Sequence, residues 1–178
     1  MQGNRGCDKA VEQALKVINT LKEEGLIKEY AIGGGIATIF YAEPFLTYDL
    51  DVFITLPETD SDLVVLTPIY DYLRSQGYKT EKEHILIGDM PMQFFVPGDG
   101  LEEAAVRDAV EVEYEGVRTR VMRAEYLIAI FLRAHRAKDI SKILMLLEQT
   151  KVDMDHLSEI LKSSGLWRKW LEFKGRFT

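Results

Sequence analysis

Two aspartates separated by one residue are the side chains in this sequence best suited to chemistry. Asp49 and Asp51 lie in the stretch TYDLDVFIT, where apolar and polar residues alternate with the period of a β-strand. Both carboxylates are therefore expected on one face of the strand, while Leu50 faces the core. Two acids in this position repel each other and lose hydration unless a cation or hydrogen-bond donors lie beside them. Such hard oxygen ligands suit magnesium.

Three consecutive glycines precede the acid pair. The short apolar strand that starts at Tyr30 breaks at Gly33-Gly34-Gly35, and a helical run begins at Ile36. Glycines between a strand and a helix let the backbone approach a ligand closely, and the free N–H groups of a helix N-terminus can hold phosphate. The plainer interpretation is a tight strand-to-helix turn, which is the commoner use of glycine. The residues alone leave both interpretations open.

Length, composition and charge limit what such a site can belong to. With 178 residues, 47% of them hydrophobic, the chain can form one well-buried core and a smaller appended lobe. A formal net charge of -7 argues against broad affinity for nucleic acid or anionic membranes. The single Cys7 cannot form an internal disulfide, and no apolar run approaches the ~20 residues of a membrane span. We therefore expect a cytoplasmic protein with no membrane partner.

Hydrophobic periodicity divides the chain into a mixed first part and a helical last part. It predicts helices at 7–24, 63–76 and 101–109, strands at 78–81, 83–87, 90–96, 110–114 and 117–121, and helices alone from residue 124 onward. This order predicts an α+β (mixed α/β) fold with flanking helices and a C-terminal helical lobe. We place the α/β core at 1–122 and the helical lobe, packed on that core, at 123–178.

The order of these features resembles that of a known superfamily. A strand, a glycine corner, a helix and then the motif T-x-D-L-D from Thr47 to Asp51 are similar to the nucleotidyltransferase superfamily, which includes DNA polymerase beta and the toxins of type IV toxin–antitoxin pairs. A helical segment from Arg123 to Asp139 is similar to one found in the toxin-like members. The resemblance covers most of the chain from Tyr30 to about Leu147, and it implies a nucleotidyltransferase-like sheet.

The resemblance also implies an activity and assigns roles to residues. It implies a metal-dependent transfer of a nucleotidyl group from a nucleoside triphosphate to an acceptor hydroxyl, on RNA or protein, and an antitoxin-like partner protein. Asp49 and Asp51 would be the catalytic residues and would bind Mg2+ (or Mn2+) ions that bridge the phosphates. The residues expected to bind the nucleotide are Gly34, Gly35, Thr47, Arg136 and Lys138.

The sequence departs from the family pattern where a third carboxylate is expected. That acid would lie on the strand 90–96, where the aligned polar residue is Gln93. An amide can offer an oxygen to magnesium as a possible third ligand, but it can neither act as a base nor supply negative charge. Asp89 would replace it only if the preceding hairpin turn folded toward the site. Gln93 is therefore the main argument for an alternative function, a non-catalytic nucleotide-binding or protein-interaction module of the same fold.

Two cations of the family pattern are also absent at their expected positions. The toxin-like members often carry Arg two residues before the motif threonine, where this chain has Phe45, and Lys in the helix near Phe131. Arg136 and Lys138 remain as candidate cations for the phosphates. The other interpretation is that Lys138 and Asp139 form an exposed helix start without a catalytic role.

Overall fold

The computed structural model describes residues 5–43, 47, 49–58 and 66–177. Within these residues the chain forms eight helices and one seven-stranded sheet. The helices are α1 (Arg5–Glu23), α2 (Gly34–Ile39), α3 (Thr67–Ser75), α4 (Gly100–Arg107), α5 (Ala124–Ala134), α6 (Ala137–Gln149), α7 (Met154–Ser163) and α8 (Trp167–Phe177). The strands are β1 (Glu29–Ile32), β2 (Leu50–Thr55), β3 (Lys79–Glu81), β4 (His84–Ile87), β5 (Met90–Phe95), β6 (Val110–Tyr114) and β7 (Val117–Val121). The predicted α+β class is confirmed.

Helix ends follow local capping more closely than they follow hydrophobic periodicity. α4 begins at Gly100 because the Asp99 side chain accepts hydrogen bonds from the amides of Leu101 and Glu102, which have no partner within the helix. The predicted helix 63–76 is observed from Thr67 onward. Residues 59–65 lie outside the part of the chain that the structure describes.

The two strands that frame the glycine corner lie at the centre of the sheet. The strand order is β3-β4-β5-β2-β1-β7-β6. β2 pairs antiparallel with β1 and parallel with β5, and β1 pairs parallel with β7. Leu50, Val52 and Ile54 are fully buried on one face of β2, while Asp51 and Phe53 point to the other face and are half-buried. The predicted alternation is thus observed from Leu50 onward, whereas Asp49, expected within the strand, lies just before it.

α1 covers the apolar face of the sheet and is tied to it by one buried tyrosine. The Tyr30 hydroxyl lies 2.7 Å from Asn19 Oδ1 on α1 and 3.2 Å from Thr119 Oγ1 on β7. Tyr30 is 2% exposed, and burial raises the pKa of its hydroxyl. Its polar atom therefore joins a helix and two strands that are distant in sequence.

The last third of the chain is helical, and its α5 packs on α2 and α4, which in turn contact the strands β1 and β2. Most of α5 is buried, and α5 contacts α2, α4, α6 and α7. The guanidinium of Arg133 on α5 forms ion pairs with Asp99 and Glu102 at the start of α4. Among the residues that the structure describes, no helix is long and apolar enough to cross a lipid bilayer.

Candidate active site

Asp51 on β2 lies against Gly34 at the start of α2. A Cβ atom added to Gly34 would overlap the carboxylate of Asp51, and Gly34 has a φ of +59°. The Gly33 amide also donates a hydrogen bond of 2.9 Å to the Asp51 carbonyl. Position 34 requires glycine for two reasons, since L residues are strained in this left-handed conformation and a side chain would displace the acid.

Thr47 and Lys142 pack against the next glycine. A Cβ atom added to Gly35 would lie 2.5 Å from Thr47 Oγ1 and 3.8 Å from Lys142 Nζ. The glycine corner therefore contacts the motif threonine on one chain segment and a lysine of α6 on another. The structure brings together residues that are nearly a hundred positions apart in sequence.

Backbone amides at the corner precede the first hydrogen bond of α2. That bond runs from the Ala37 amide to the Gly33 carbonyl over 3.2 Å. The amides of Gly34, Gly35 and Ile36 come before it, so α2 itself offers them no carbonyl partner. An anionic group near the glycines would find donors of this kind.

The acid pair has the electrostatics of a site for a cation. Burial and the neighbouring carboxylate of Asp49 raise the pKa of Asp51 to about 6, against the opposing effect of the cations Lys142, Lys138 and Arg136. Burial also lowers the pKa of Lys142. A divalent cation beside Asp51 would relieve the repulsion that raises this pKa, because an opposite charge favours the ionised carboxylate.

Protein side chains supply only some of the oxygen ligands that a magnesium ion needs at this site. Asp49 and Asp51 supply hard oxygens, but the described residues contain no group of three His, Cys, Asp or Glu side chains close enough to hold a metal ion. A magnesium ion at this pair would therefore complete its six oxygen ligands from phosphate and water, which is common for magnesium in nucleotide sites. The two carboxylates, with one pKa raised, fit such an ion.

Gln93 lies directly beside Asp51 in the sheet. The two residues are register partners in the parallel pair of β2 and β5. Asp89 lies instead in the exposed turn between β4 and β5, next to Gly88 with its φ of +60°. The Gln93 amide nitrogen donates a hydrogen bond of 3.2 Å to Glu83 Oε2. The residue beside the acid pair is thus a neutral amide, with a carboxylate as its partner.

The predicted cations lie at the start of α6 and differ in how they are held. The Arg136 Nε lies 2.7 Å from Asp139 Oδ2, and this carboxylate is fully buried. The Asp139 carboxylate also accepts a hydrogen bond of 3.2 Å from the Arg136 amide at the start of α6. Lys138 is exposed, and the positive charges of Lys138 and Arg136 oppose the rise in the pKa of Asp51.

Lys142 is the site residue that sequence analysis missed. Its Nζ lies 4.9 Å from the centroid of the Phe131 ring, so a cation from α6 reaches the place where the family pattern has a lysine on the preceding helix. The signal in the sequence is the spacing of Lys138 and Lys142, because residues four apart share one helix face. Phe45, where the other family cation is expected, lies outside the described residues.

A separate cavity of about 660 Å3 lies among α4, α5 and α7. Its lining includes Leu101, Tyr126, Arg133, His156 and Ser163. It contains neither the acid pair nor the glycine corner, so it is distinct from the candidate site.

Comparison with solved structures agrees with the architecture described above. An antigenic nucleotidyltransferase-like protein from Paracoccidioides brasiliensis matches with a TM-score of 0.59 at 14% identity, over 93% of this chain and 90% of the other. The antibiotic-resistance factor ANT(2'')-Ia, in a solution structure, matches with a TM-score of 0.54 at 15% identity, over 94% of this chain and 98% of the other. The chain has a nucleotidyltransferase-like fold. No family model and no curated protein matches the sequence.

A crystal structure of ANT(2'')-Ia in complex with adenylyl-2''-tobramycin also matches, with a TM-score of 0.49 at 14% identity, over 97% of this chain and 99% of the other. At such identities the likeness concerns the nucleotidyltransferase-like fold alone.

Proposed function

We propose that this protein is a metal-dependent nucleotidyltransferase, which moves a nucleotidyl group from a nucleoside triphosphate to an acceptor hydroxyl. The observation that carries the proposal is the packing of the Asp51 carboxylate against Gly34, with Lys142 within 3.8 Å of the Cβ position of Gly35. Acids for a cation, amides for phosphate and a lysine for phosphate charge meet at one corner. A scaffold without a ligand would have no need to hold these groups together against their desolvation.

Each part of the corner has a role in this proposal. Asp49 and Asp51 would hold magnesium, and the ion, when bound, would neutralise charge on the phosphate oxygens as a Lewis acid. The amides of Gly34 and Gly35 would donate to the triphosphate, with the Thr47 hydroxyl beside them. Lys142 would stabilise the charge that develops there, as preorganised cations do.

In the proposed reaction, one bond forms and one bond breaks at the α-phosphorus of the triphosphate. The acceptor oxygen forms a bond to the α-phosphorus, the bond from this phosphorus to the bridging oxygen breaks, and pyrophosphate leaves. The positive charges of Lys142, Lys138 and Arg136 act on Asp51, and in this proposal they would compensate the charge of pyrophosphate. The proton of the acceptor hydroxyl goes to solvent or to a basic group of the acceptor, since Gln93 cannot accept it.

Gln93 also favours a second candidate function, a nucleotide-binding module without transfer. In that case the corner binds the triphosphate with magnesium, and no acceptor is activated because a neutral amide lies beside Asp51. The two candidates share a ligand and differ in whether a product forms.

The test combines binding with a search for product. Each nucleoside triphosphate is added with Mg2+ or Mn2+, and the change in melting temperature is measured, since a ligand of the folded state stabilises it. Labelled triphosphates are then incubated with cellular RNA, protein and tobramycin as acceptors. The variants are Asp49→Asn with Asp51→Asn, and the exposed Asp89→Asn as the matched control.

An active transferase labels at least one acceptor, and the label is lost in the double variant but kept in Asp89→Asn. Stabilisation that depends on the acid pair without label on any acceptor supports the binding module. A melting temperature that no triphosphate changes, with or without metal, contradicts both candidates.

A further inference from the structure

The amide of Gln93 has a partner that decides which way it faces. Its Nε2 lies 3.2 Å from Glu83 Oε2. An ionised carboxylate only accepts hydrogen bonds, so it must face the NH2 group of the amide and not the carbonyl oxygen. The two ends of an amide are assigned from their partners, and this partner allows one assignment. The carbonyl oxygen of Gln93 therefore points away from Glu83.

The backbone at Glu83 is anchored, while the Glu83 side chain itself is exposed. Glu83 follows Lys82, whose φ of +56° forms the tight turn between β3 and β4. The Glu83 carbonyl accepts a hydrogen bond of 2.9 Å from the Tyr70 hydroxyl on α3. The Tyr70 ring in turn packs edge-on against Phe94, with ring centroids 6.2 Å apart. The backbone of the turn is thus tied to α3 and β5.

The sheet fixes the other end of the contact. Met92 and Phe94 are buried on one face of β5, which places Gln93 on the face that carries Asp51. Because Gln93 and Asp51 are register partners on adjacent strands, their side chains are neighbours. Gln93 therefore lies between two carboxylates, and one N–H of its amide donates to Glu83.

We propose that Glu83 is a positioning residue for the metal site. It holds the Gln93 amide so that the carbonyl oxygen, and not the NH2 group, is offered on the side of Asp49 and Asp51. Gln93 thereby presents a neutral oxygen ligand to a magnesium ion, while the negative charge of Glu83 stays one side chain away from the ion. This inference rests on the proposed function, since it concerns a metal at the acid pair.

Substitutions at position 83 differ in whether they accept or donate a hydrogen bond toward Gln93. In Glu83→Ala the amide is free to turn, and its NH2 group can face the metal for part of the time. In Glu83→Lys the new ammonium group only donates, so it attracts the carbonyl oxygen and turns the NH2 group toward Asp51. In Glu83→Gln the charge is lost, and the new side chain offers an oxygen acceptor together with an NH2 donor. A purely electrostatic role predicts that Glu83→Gln resembles Glu83→Ala, and a positioning role predicts that it lies between Glu83→Ala and the wild type.

The measurement is the Mg2+ concentration that gives half of the rise in melting temperature, in the presence of a nonhydrolysable nucleoside triphosphate. Outer-shell partners of metal ligands change metal affinity by roughly 10- to 100-fold, so we expect about a tenfold weaker apparent affinity in Glu83→Ala. Glu83→Lys should weaken it further, and Glu83→Gln should weaken it by less than Glu83→Ala, because an acceptor remains although a donor is added. Glu81→Ala and Glu81→Lys, at an exposed carboxylate two residues away, control for charge.

The same substitutions are repeated in a Gln93→Ala background, where Glu83→Ala should have no further effect. Equal losses at positions 81 and 83, or a full loss from Glu83→Ala without Gln93, would overturn the inference. So would an unchanged Mg2+ dependence in Glu83→Ala, provided that the melting temperature without ligand shows a folded protein. If the wild type shows no Mg2+-dependent stabilisation, the proposed function fails, and the inference falls with it.

Discussion

The contact between Gly34 and Asp51 leaves no room for a side chain at position 34. The backbone there is also left-handed, which adds strain for any other residue. Gly25 has a similar φ of +72° but no atom within 4 Å of its Cβ position. The two glycines therefore separate the effect of backbone strain from that of displacing the acid.

Gly34→Ala should lower the free energy of unfolding by more than Gly25→Ala, for which strain alone gives about 1 kcal/mol. It should also abolish the stabilisation by triphosphate with Mg2+, whereas Gly25→Ala should keep it. Urea unfolding and ligand-induced melting shifts measure the two effects. Equal responses from both variants would mean that the Asp51 carboxylate moves aside without consequence.

Asp51 gives the site a pH dependence whose sign follows from its raised pKa. The pKa in the folded protein is about 6, above that of an Asp in an unfolded chain. The folded state therefore binds more protons than the unfolded state between about pH 4 and pH 6, and the free energy of unfolding falls as pH rises through this range. Above about pH 6, ionised Asp51 therefore destabilises the ligand-free protein.

Asp51→Asn should remove this dependence. Without ligand, the variant should be more stable than the wild type at pH 8 by roughly 2 kcal/mol, with no such gain at pH 4. Urea unfolding at intervals from pH 4 to pH 8 tests this, with Asp89→Asn as the surface control. A gain of the same size at every pH would point to packing instead of ionisation.

At the scale of elements, α6 carries Lys138 and Lys142, whose charges act on Asp51. Lys142 lies over the Phe131 ring at 4.9 Å, and Lys162 lies over the Trp167 ring at the same 4.9 Å. The second contact belongs to α7 and α8, away from the acids. The two lysines therefore share a local environment and differ in their distance from the site.

Lys142→Met should weaken binding of triphosphate with Mg2+ by about ten- to a hundredfold, as expected for the loss of one charge-assisted contact. Lys162→Met should leave the affinity unchanged. Isothermal titration with a nonhydrolysable triphosphate measures both. A similar loss in the two variants would show that overall charge, and not the position of Lys142, determines affinity.

Local patterns were sufficient to predict β2 and the acid pair, but not the residues that other elements bring to it. The alternation around Asp51 defines its face because strands have a period of two. Lys142 was missed because only the packing of α6 on α5 and α2 brings it near Gly35. Glu83 was missed because its approach to Gln93 depends on the left-handed turn at Lys82, which no periodicity predicts.

At the scale of the whole molecule, one hydroxyl joins distant parts of the fold. Tyr30 bonds to Asn19 and Thr119 within the core. Tyr30→Phe should lower the free energy of unfolding by about 1 to 2 kcal/mol, because it leaves buried polar partners unsatisfied. Urea unfolding tests this value. Tyr78→Phe, at a tyrosine outside the buried core, should have a much smaller effect, and equal effects would contradict the role of the hydroxyl.

Asp51 belongs to β2 and is directly preceded by Asp49 and Leu50, whereas Lys142 belongs to α6. A triphosphate that contacts both Asp51 and Lys142 would therefore act as a cross-link between the sheet and α6, and α6 could open only after the ligand had left. Amide hydrogen exchange should then slow along α6 on binding, by a factor that grows with ligand concentration, while exchange in α8, which the ligand does not contact, should keep its original rate.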